Sequence, residues 1–277
     1  MYRFLLRPKW LAFHILVLSA VVGMLALANW QWTKREARNG FVAKVHLREK
    51  CAPQDATTLL RHDKSSDIVC ALPGKTILLA HDNPSDIEYF RVTATGSYLS
   101  TGQLIQINRT QDGVIGVNVI TPFQIDGGPL LIVNRGFVAD GTVVPSAPTG
   151  TLLVGGTART SEQHKTGELT DDKGGASTEV RRIDLGEIAK RINAQVAPVY
   201  IDFIGSKPES ATPPVPVPAP DLGGGPPHLS YTVQWCVFSL SVAVGWVFAV
   251  KRSARNQQRV ATRAQSSGRP DVSATRS

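Results

Sequence analysis

Cysteine and histidine are the residues of this chain whose chemistry could hold a metal ion or form a covalent link. Cys51 and Cys70 lie 19 positions apart, which is not the C-x-x-C spacing of a redox or metal motif. In an oxidising compartment a structural disulfide is the default for such a pair, and a copper or thiol-exchange role is the alternative. Cys236 lies in apolar sequence, where a thiol acts as a small apolar side chain.

Two of the six histidines lie where an imidazole could bind haem iron. His14 and His228 fall at the edges of the two apolar stretches of the chain. A neutral imidazole is a common axial haem ligand, but a histidine there can also simply direct its polar edge to a membrane surface. The residues alone favour this second role. The other histidines are scattered through polar sequence and predict no metal site: His46, His62, His81 and His164.

Asn134-Arg135-Gly136 interrupts an otherwise apolar strand pattern. A buried arginine needs an acceptor, and glycine permits an unusual backbone or a close approach. The motif therefore predicts either an ion pair at a hairpin end or a contact with a partner or an anionic ligand group. The chain has no catalytic-triad pattern, Walker loop or H-E-x-x-H motif, so the sequence favours a protein that is not an enzyme.

His14, His228 and Cys236 lie in two uncharged apolar segments. These segments predict transmembrane helices at 11–32 and 228–250. Each is long enough to cross a hydrocarbon core of roughly 30 Å. Aromatic residues mark their ends, as in the interfacial belts of membrane helices: Trp10, Trp30 and Trp32 for the first, Tyr231, Trp235 and Trp246 for the second. The lipid bilayer is thus a predicted partner.

A cleaved signal peptide is the alternative for the first segment. Ala26-Leu27-Ala28 fits a small-x-small cleavage site. The apolar run before this site is longer than the about 7–15 residues typical of signal peptides, so the sequence favours a retained anchor.

The net charge of +8 comes from the two ends of the chain. No Lys or Arg occurs from Pro208 to Val250, and six follow between Lys251 and Arg269. Positive flanks stay in the cytoplasm, which predicts a two-pass protein of the cell membrane with 1–10 and 251–277 inside. The central region is nearly neutral, which argues against nucleic acid as a partner.

The central region, 33–207, has the pattern of an extracytoplasmic, mostly antiparallel β domain with one or two helices, so the whole chain is predicted as an α+β membrane protein. Short strands alternate with turn residues, and Asp184 with Glu187 predicts a helix start, with the helix ending near Ala197-Pro198. A Pro/Gly-rich linker at 208–227 and a disordered basic tail at 251–277 complete the expected organisation.

Four stretches, taken in order on this topology, resemble motifs of the Surfeit locus family of cytochrome c oxidase assembly proteins, bacterial type. Ala28 and Lys34 stand where the first motif has Gly and Arg, and Phe137 stands where the third has Trp. The stretches are Leu27–Lys34 (LANWQWTK), Arg91–Tyr98 (RVTATGSY), Pro129–Val138 (PLLIVNRGFV) and His228–Trp235 (HLSYTVQW).

The resemblance implies a non-enzymatic factor of the respiratory chain that assists insertion of haem a into the oxidase catalytic subunit, with haem a synthase as a second partner. It implies His228 as the ligand of the haem iron. Because haem carries anionic propionates, we add the hypothesis that Lys34, Arg35 or Arg135 meets them. The full implied cofactor set is His228, Trp30, Gln31, Tyr231, Gln234, Trp235 and Arg135.

Three other functions remain open from the sequence. The protein could be a membrane scaffold that binds oxidase helices and no cofactor, an exported sensor or envelope-assembly module, or a membrane-anchored enzyme. Haem in the purified protein would distinguish the assembly factor from the scaffold. Co-isolation with oxidase subunits would distinguish both of these from the sensor or envelope-assembly module.

Overall fold

The computed structural model describes residues 3–60, 68–79, 83–169, 177–209, 214–223 and 225–267. A helical unit comprises Met1–Val42 with Leu222–Ser277, and a β-rich unit comprises Ala43–Asp221. The helices are α1 (Pro8–Lys50), α2 (Ala56–Leu60), α3 (Leu185–Arg191) and α4 (His228–Ser267), with 3-10 turns at Arg3–Leu6 and Pro84–Asp86. His62 and His81 lie outside the described residues.

In the helical unit, α1 and α4 each bury one stripe of residues spaced alternately three and four apart, which is the heptad spacing of packed helices. The most buried members are small, Ala28 and Ser239, and small residues permit a close approach of two helices. The stripe on α1 is His14, Val17, Val21, Met24, Ala28 and Gln31, and that on α4 is His228, Thr232, Trp235, Ser239, Val242 and Trp246.

The other faces of these helices are apolar and exposed, with Leu16, Leu18 and Phe248 each about two-thirds exposed. Both helices are long and apolar enough to cross a membrane. Apolar surface of this extent is uncommon on water-soluble monomers. The helices are therefore compatible with a two-pass membrane protein.

Both long helices continue past their apolar segments, which corrects two expectations. α1 runs through Lys50, into the predicted β domain, and α4 runs through Ser267, where a disordered tail was expected. These extensions are rich in Ala, Arg, Lys, Glu and Gln, which favour helix, and residues 251–267 of α4 contain no Gly or Pro. The prediction of disorder is thus wrong for residues 251–267.

The β-rich unit contains a closed five-stranded barrel in which β4 pairs with both β8 and β6, and a parallel β10–β7 pair completes the ring. The expected mostly antiparallel β architecture is present, and the parallel pair was not predicted. The described strands are β1 (Gln54–Asp55), β2 (Ile68–Leu72), β3 (Lys75–Leu79), β4 (Arg91–Tyr98), β5 (Leu104–Gln111), β6 (Val114–Ile125), β7 (Leu130–Ala139), β8 (Leu152–Thr160), β9 (Glu179–Val180) and β10 (Val196–Lys207).

β7 is the central strand because both of its faces are buried. Leu131 and Val133 point into the main core, while Ile132 packs in a second core with Ile188 of α3. Alternate side chains of a strand point to opposite faces, so one strand supplies both cores. This explains why β7 is a continuous apolar run.

α3 begins as expected and ends early. The Asp184 carboxylate accepts hydrogen bonds from the backbone N–H groups of Gly186 and Glu187. Asn193 adopts a left-handed conformation, with φ of 49°, just after the helix. Asparagine is one of the few residues that tolerates this conformation at a helix end, so α3 stops at Arg191 rather than near Ala197.

Cys51 and Cys70 are joined by a disulfide, and both are buried. Cys51 directly follows α1, and Cys70 lies on β2 of the two-stranded β2–β3 sheet. The link therefore ties the β2–β3 hairpin to the end of α1.

Part of the predicted linker is bound to β7. Val215 and Phe137 exchange two backbone hydrogen bonds, with N···O distances of 2.7 and 2.9 Å. Gly136 has φ of 124°, and a Cβ atom there would overlap the carbonyl oxygen of Val215. The glycine of the Asn134-Arg135-Gly136 motif thus permits the linker to dock.

Arg135 is buried beside this contact and holds a loop. Its guanidinium donates to the carbonyl oxygens of Pro145 and Ser146 at 3.0 and 2.9 Å and lies 5.5 Å from the centre of the Tyr98 ring. Burial raises the pKa of Tyr98 to about 12, and the nearby Arg135 cation opposes this rise. Burial likewise lowers the pKa of Arg135.

We expect Gly136→Ala to lower the free energy of unfolding by about 3 kcal/mol, since backbone strain costs roughly 1–3 kcal/mol and each lost hydrogen bond about 1 kcal/mol. Gly141→Ala is the matched control, because Gly141 also has a positive φ, 79°, but open space at its Cβ position. Urea unfolding measures both, and an equal loss in the two variants would show that linker docking adds nothing.

We expect the Tyr98 phenol to ionise near pH 12, whereas an unfolded tyrosine ionises near 10. The folded state holds this proton more tightly, so stability falls as the pH rises from about 10 to about 12. Tyrosinate absorbance of the wild type minus that of Tyr98→Phe measures the pKa. Ionisation of Tyr98 near pH 10 would contradict its burial against Arg135.

Candidate functional site

Gln31 and His228 meet at one end of the buried stripes. The amide oxygen Oε1 of Gln31 lies 2.7 Å from Nδ1 of the His228 imidazole, and both side chains are half-buried. Their two motifs are almost two hundred residues apart in sequence. The packing of α1 on α4 therefore brings together two residues that the sequence could only assign to separate motifs.

His14 and Trp246 meet at the other end. The indole Nε1–H of Trp246 donates to Nδ1 of His14 at 2.9 Å, and the two rings contact edge to face. Trp10 and Phe13 complete an aromatic cluster around His14. The sequence analysis noted Trp10, His14 and Trp246 one by one but did not predict the cluster. The heptad spacing of both apolar segments is the signal that could have paired them.

The two polar pairs set the direction and register of the helices. Gln31 follows His14 by 17 positions, and Trp246 follows His228 by 18. At 1.5 Å per residue these spacings are about 26 and 27 Å, so the helices run antiparallel and in step. The two pairs therefore bracket an apolar segment that nearly matches a hydrocarbon core of roughly 30 Å.

The same pairs give the two histidines opposite tautomers. An amide oxygen only accepts, so Nδ1 of His228 donates its proton to Gln31, and the lone pair of the neutral ring is on Nε2. An indole N–H only donates, so the lone pair of the neutral His14 ring is on Nδ1, where Trp246 occupies it. Of these two imidazoles, His228 is the one with an Nε2 lone pair available to a metal.

Aromatic and cationic side chains lie next to Gln31 on α1. Trp30 and Trp32 are about half exposed. The Lys34 ammonium lies 5.8 Å from the centre of the Trp30 ring, and the Arg35 guanidinium 5.2 Å from that of Trp32. Exposed tryptophans with nearby cations suit an apolar ring that carries anionic groups.

On α4 the predicted residues differ in their placement. Trp235 lies on the same face as His228, two turns along, and contacts Phe238 edge to face. Tyr231 is exposed and lies about 60° around the helix from His228, at 100° per residue. Gln234 is exposed and about 120° around, so it does not share the face of His228.

Arg135 belongs to the β-rich unit, where it is 3% exposed and its guanidinium already donates to two carbonyl groups. The disulfide of Cys51 and Cys70 likewise serves the fold of that unit. We therefore assign these three residues to the architecture. Among the described residues, no group of three or more His, Cys, Asp or Glu side chains could hold a metal ion.

The model of the SURF1 family matches residues 18–240. An uncharacterised SURF1-like protein of Mycobacterium tuberculosis (strain ATCC 25618 / H37Rv) is 28% identical over 264 residues, covering 92% of this chain and 89% of that protein. A SURF1-like protein of Monosiga brevicollis is also 28% identical, over 254 residues, covering 84% of this chain and 85% of its own length.

The matched region includes Gln31, His228 and the whole β barrel, whereas His14 and Trp246 at the other end of the stripes lie outside it. SURF1 proteins act generally in cytochrome oxidase assembly and are assembly factors rather than enzymes. From the extent of this match, the chain belongs to the SURF1 family.

Proposed function

We propose that this protein is a two-pass membrane assembly factor for a haem-copper cytochrome c oxidase, which binds haem a transiently and assists its insertion into the catalytic subunit. The observation that carries the proposal is the hydrogen bond between Gln31 and His228. It supplies a neutral imidazole whose Nε2 lone pair is available to iron.

Gln31 has the role of the group that accepts a hydrogen bond from a metal-binding histidine. A histidine that binds a metal through one nitrogen usually donates the other N–H to a carbonyl or carboxylate oxygen, which orients the ring and sets its tautomer. Gln31 provides this oxygen from a different helix. The site is therefore oriented before haem arrives, provided that the two helices are packed.

The surrounding residues fit the remaining parts of haem a, which is the cargo. Trp30, Trp32 and Trp235 would contact the apolar macrocycle, and Lys34 and Arg35 would meet the propionates. His228 is the one ligand that the described residues of this site would offer to the iron. Such partial coordination suits a group that must be passed on to the oxidase.

The positive-inside rule supports an orientation in which both termini are cytoplasmic and the end of the helix pair with His228 faces outward. In that orientation the exposed apolar faces of α1 and α4 contact lipid or the helices of partners. The oxidase catalytic subunit is the proposed acceptor, and haem a synthase is a proposed donor.

We expect His228→Ala to abolish function, because the iron loses its ligand. A strain lacking this protein would be complemented with the wild type, His228→Ala or His14→Ala. The reduced-minus-oxidised haem a spectrum of its membranes would then be recorded. His14 is the matched control, since its lone pair is used by Trp246. We expect haem a absorbance near the wild-type level for His14→Ala and about a tenth or less for His228→Ala.

Equal restoration by both variants would remove His228 as the ligand and favour a scaffold that binds no haem. Failure of the wild-type chain to alter the haem a signal, with no redundant paralogue present, would contradict the oxidase role itself.

We expect Gln31→Leu to change the tautomer of His228, because the acceptor of its Nδ1–H is removed. ¹⁵N chemical shifts of the imidazole in the haem-free protein at alkaline pH measure the tautomer directly. Asn29→Leu is the control, since it removes an exposed amide from the same helix. An Nε2-protonated ring in the wild type would contradict the tautomer assigned to His228, whatever the outcome of the haem experiments.

A further inference from the structure

A bulge in β5 directs Arg109 away from the regular alternation of the strand. Gln106 and Arg109 are three residues apart, yet they pair with Asn118 and Gly116 of β6, which are two apart. Asn108, within the bulge, has a positive φ of 60°. Residues three apart in a regular strand point to opposite faces, so the extra residue brings Arg109 to the face of Gln106.

Glu162 is the carboxylate that both side chains reach. Its Oε2 accepts from Nε2 of Gln106 at 3.0 Å, from the Arg109 guanidinium at 3.5 Å and from the backbone N–H of Ile183 at 2.8 Å. The amide oxygen of Gln106, which is 1% exposed, accepts in turn from Asn118. These partly buried hydrogen bonds hold the Arg109 side chain, which the bulge has turned to this face.

Arg109 has donor capacity that the network does not use. Its Nε atom is buried and has no acceptor among the described residues. Buried donors without a partner are uncommon in native proteins, and each requires an explanation. The Arg109 side chain as a whole is 35% exposed, so a guanidinium that is held in place here can donate to an oxygen atom of a ligand.

Arg109 lines a cleft of about 630 Å³, which is the size of a small-molecule site. Lys165, Arg181 and Arg182 also line it, and Glu168 pairs with Arg182 at 3.2 Å. The described lining thus holds four basic side chains against two carboxylates. This excess positive charge favours an anion and disfavours a metal cation.

We propose that this cleft binds a small, water-soluble anion that carries carboxylate or phosphate groups. Guanidinium groups recognise both through charge-assisted hydrogen bonds, and several cations around one cleft suit an anion with more than one such group. The site lies wholly within the β-rich unit and does not depend on haem binding by the helical unit.

The test is calorimetric titration of the purified full-length protein in detergent with citrate and with inorganic phosphate, at constant ionic strength and neutral pH. We expect saturable binding of at least one anion by the wild type and at least roughly tenfold weaker binding by Arg109→Gln, about what one charge-assisted bond contributes. Lys165→Gln should also weaken binding while leaving the Glu162 contacts in place, which guards against misfolding of the first variant.

Arg91→Gln is the matched control, since it removes an exposed guanidinium of the same unit that is not among the residues lining the cleft. We expect its affinity to stay within about twofold of the wild type. Absence of saturable binding of both anions by the wild type, or an equal loss of affinity in Arg91→Gln, would overturn the proposal.

Discussion

The helical unit depends on the register between two antiparallel helices. Polar pairs at both ends of the buried stripes, Gln31 with His228 and His14 with Trp246, coincide in register while the intervening residues are apolar. Sliding one helix by a turn would break both hydrogen bonds and leave polar groups without partners in an apolar setting, where this is most costly. The register therefore creates the candidate site.

The two pairs also show how identical side chains acquire different chemistry. His14 and His228 are both half-buried on the same seam, and neither differs from the other in its local sequence in a way that predicts its tautomer. The partner across the seam decides, because an amide oxygen accepts and an indole N–H donates. The hydrogen-bond partner therefore distinguishes the candidate metal ligand, His228, from His14, whose lone pair is used by Trp246.

In the β-rich unit, a motif that carries the family resemblance does not belong to the candidate site. Asn134-Arg135-Gly136 belongs to the same set of motifs as His228, but its residues contact Asp202 of β10, the loop at Pro145 and the docked linker. A buried arginine needs nearby acceptors, and here backbone carbonyl groups provide them. In this chain, the contacts of the motif therefore support the architecture of the β-rich unit.

The sequence by itself determined the features that depend on local pattern: two apolar helices, the strands from Arg91 to Ala139, and the start of α3 at Asp184. Periodicity and capping act over a few residues and can be read directly. Only the tertiary structure decided the parallel β7–β10 pair, the role of Arg135 and the contact of Gln31 with His228. These depend on residues far apart in the chain, which a local pattern does not specify.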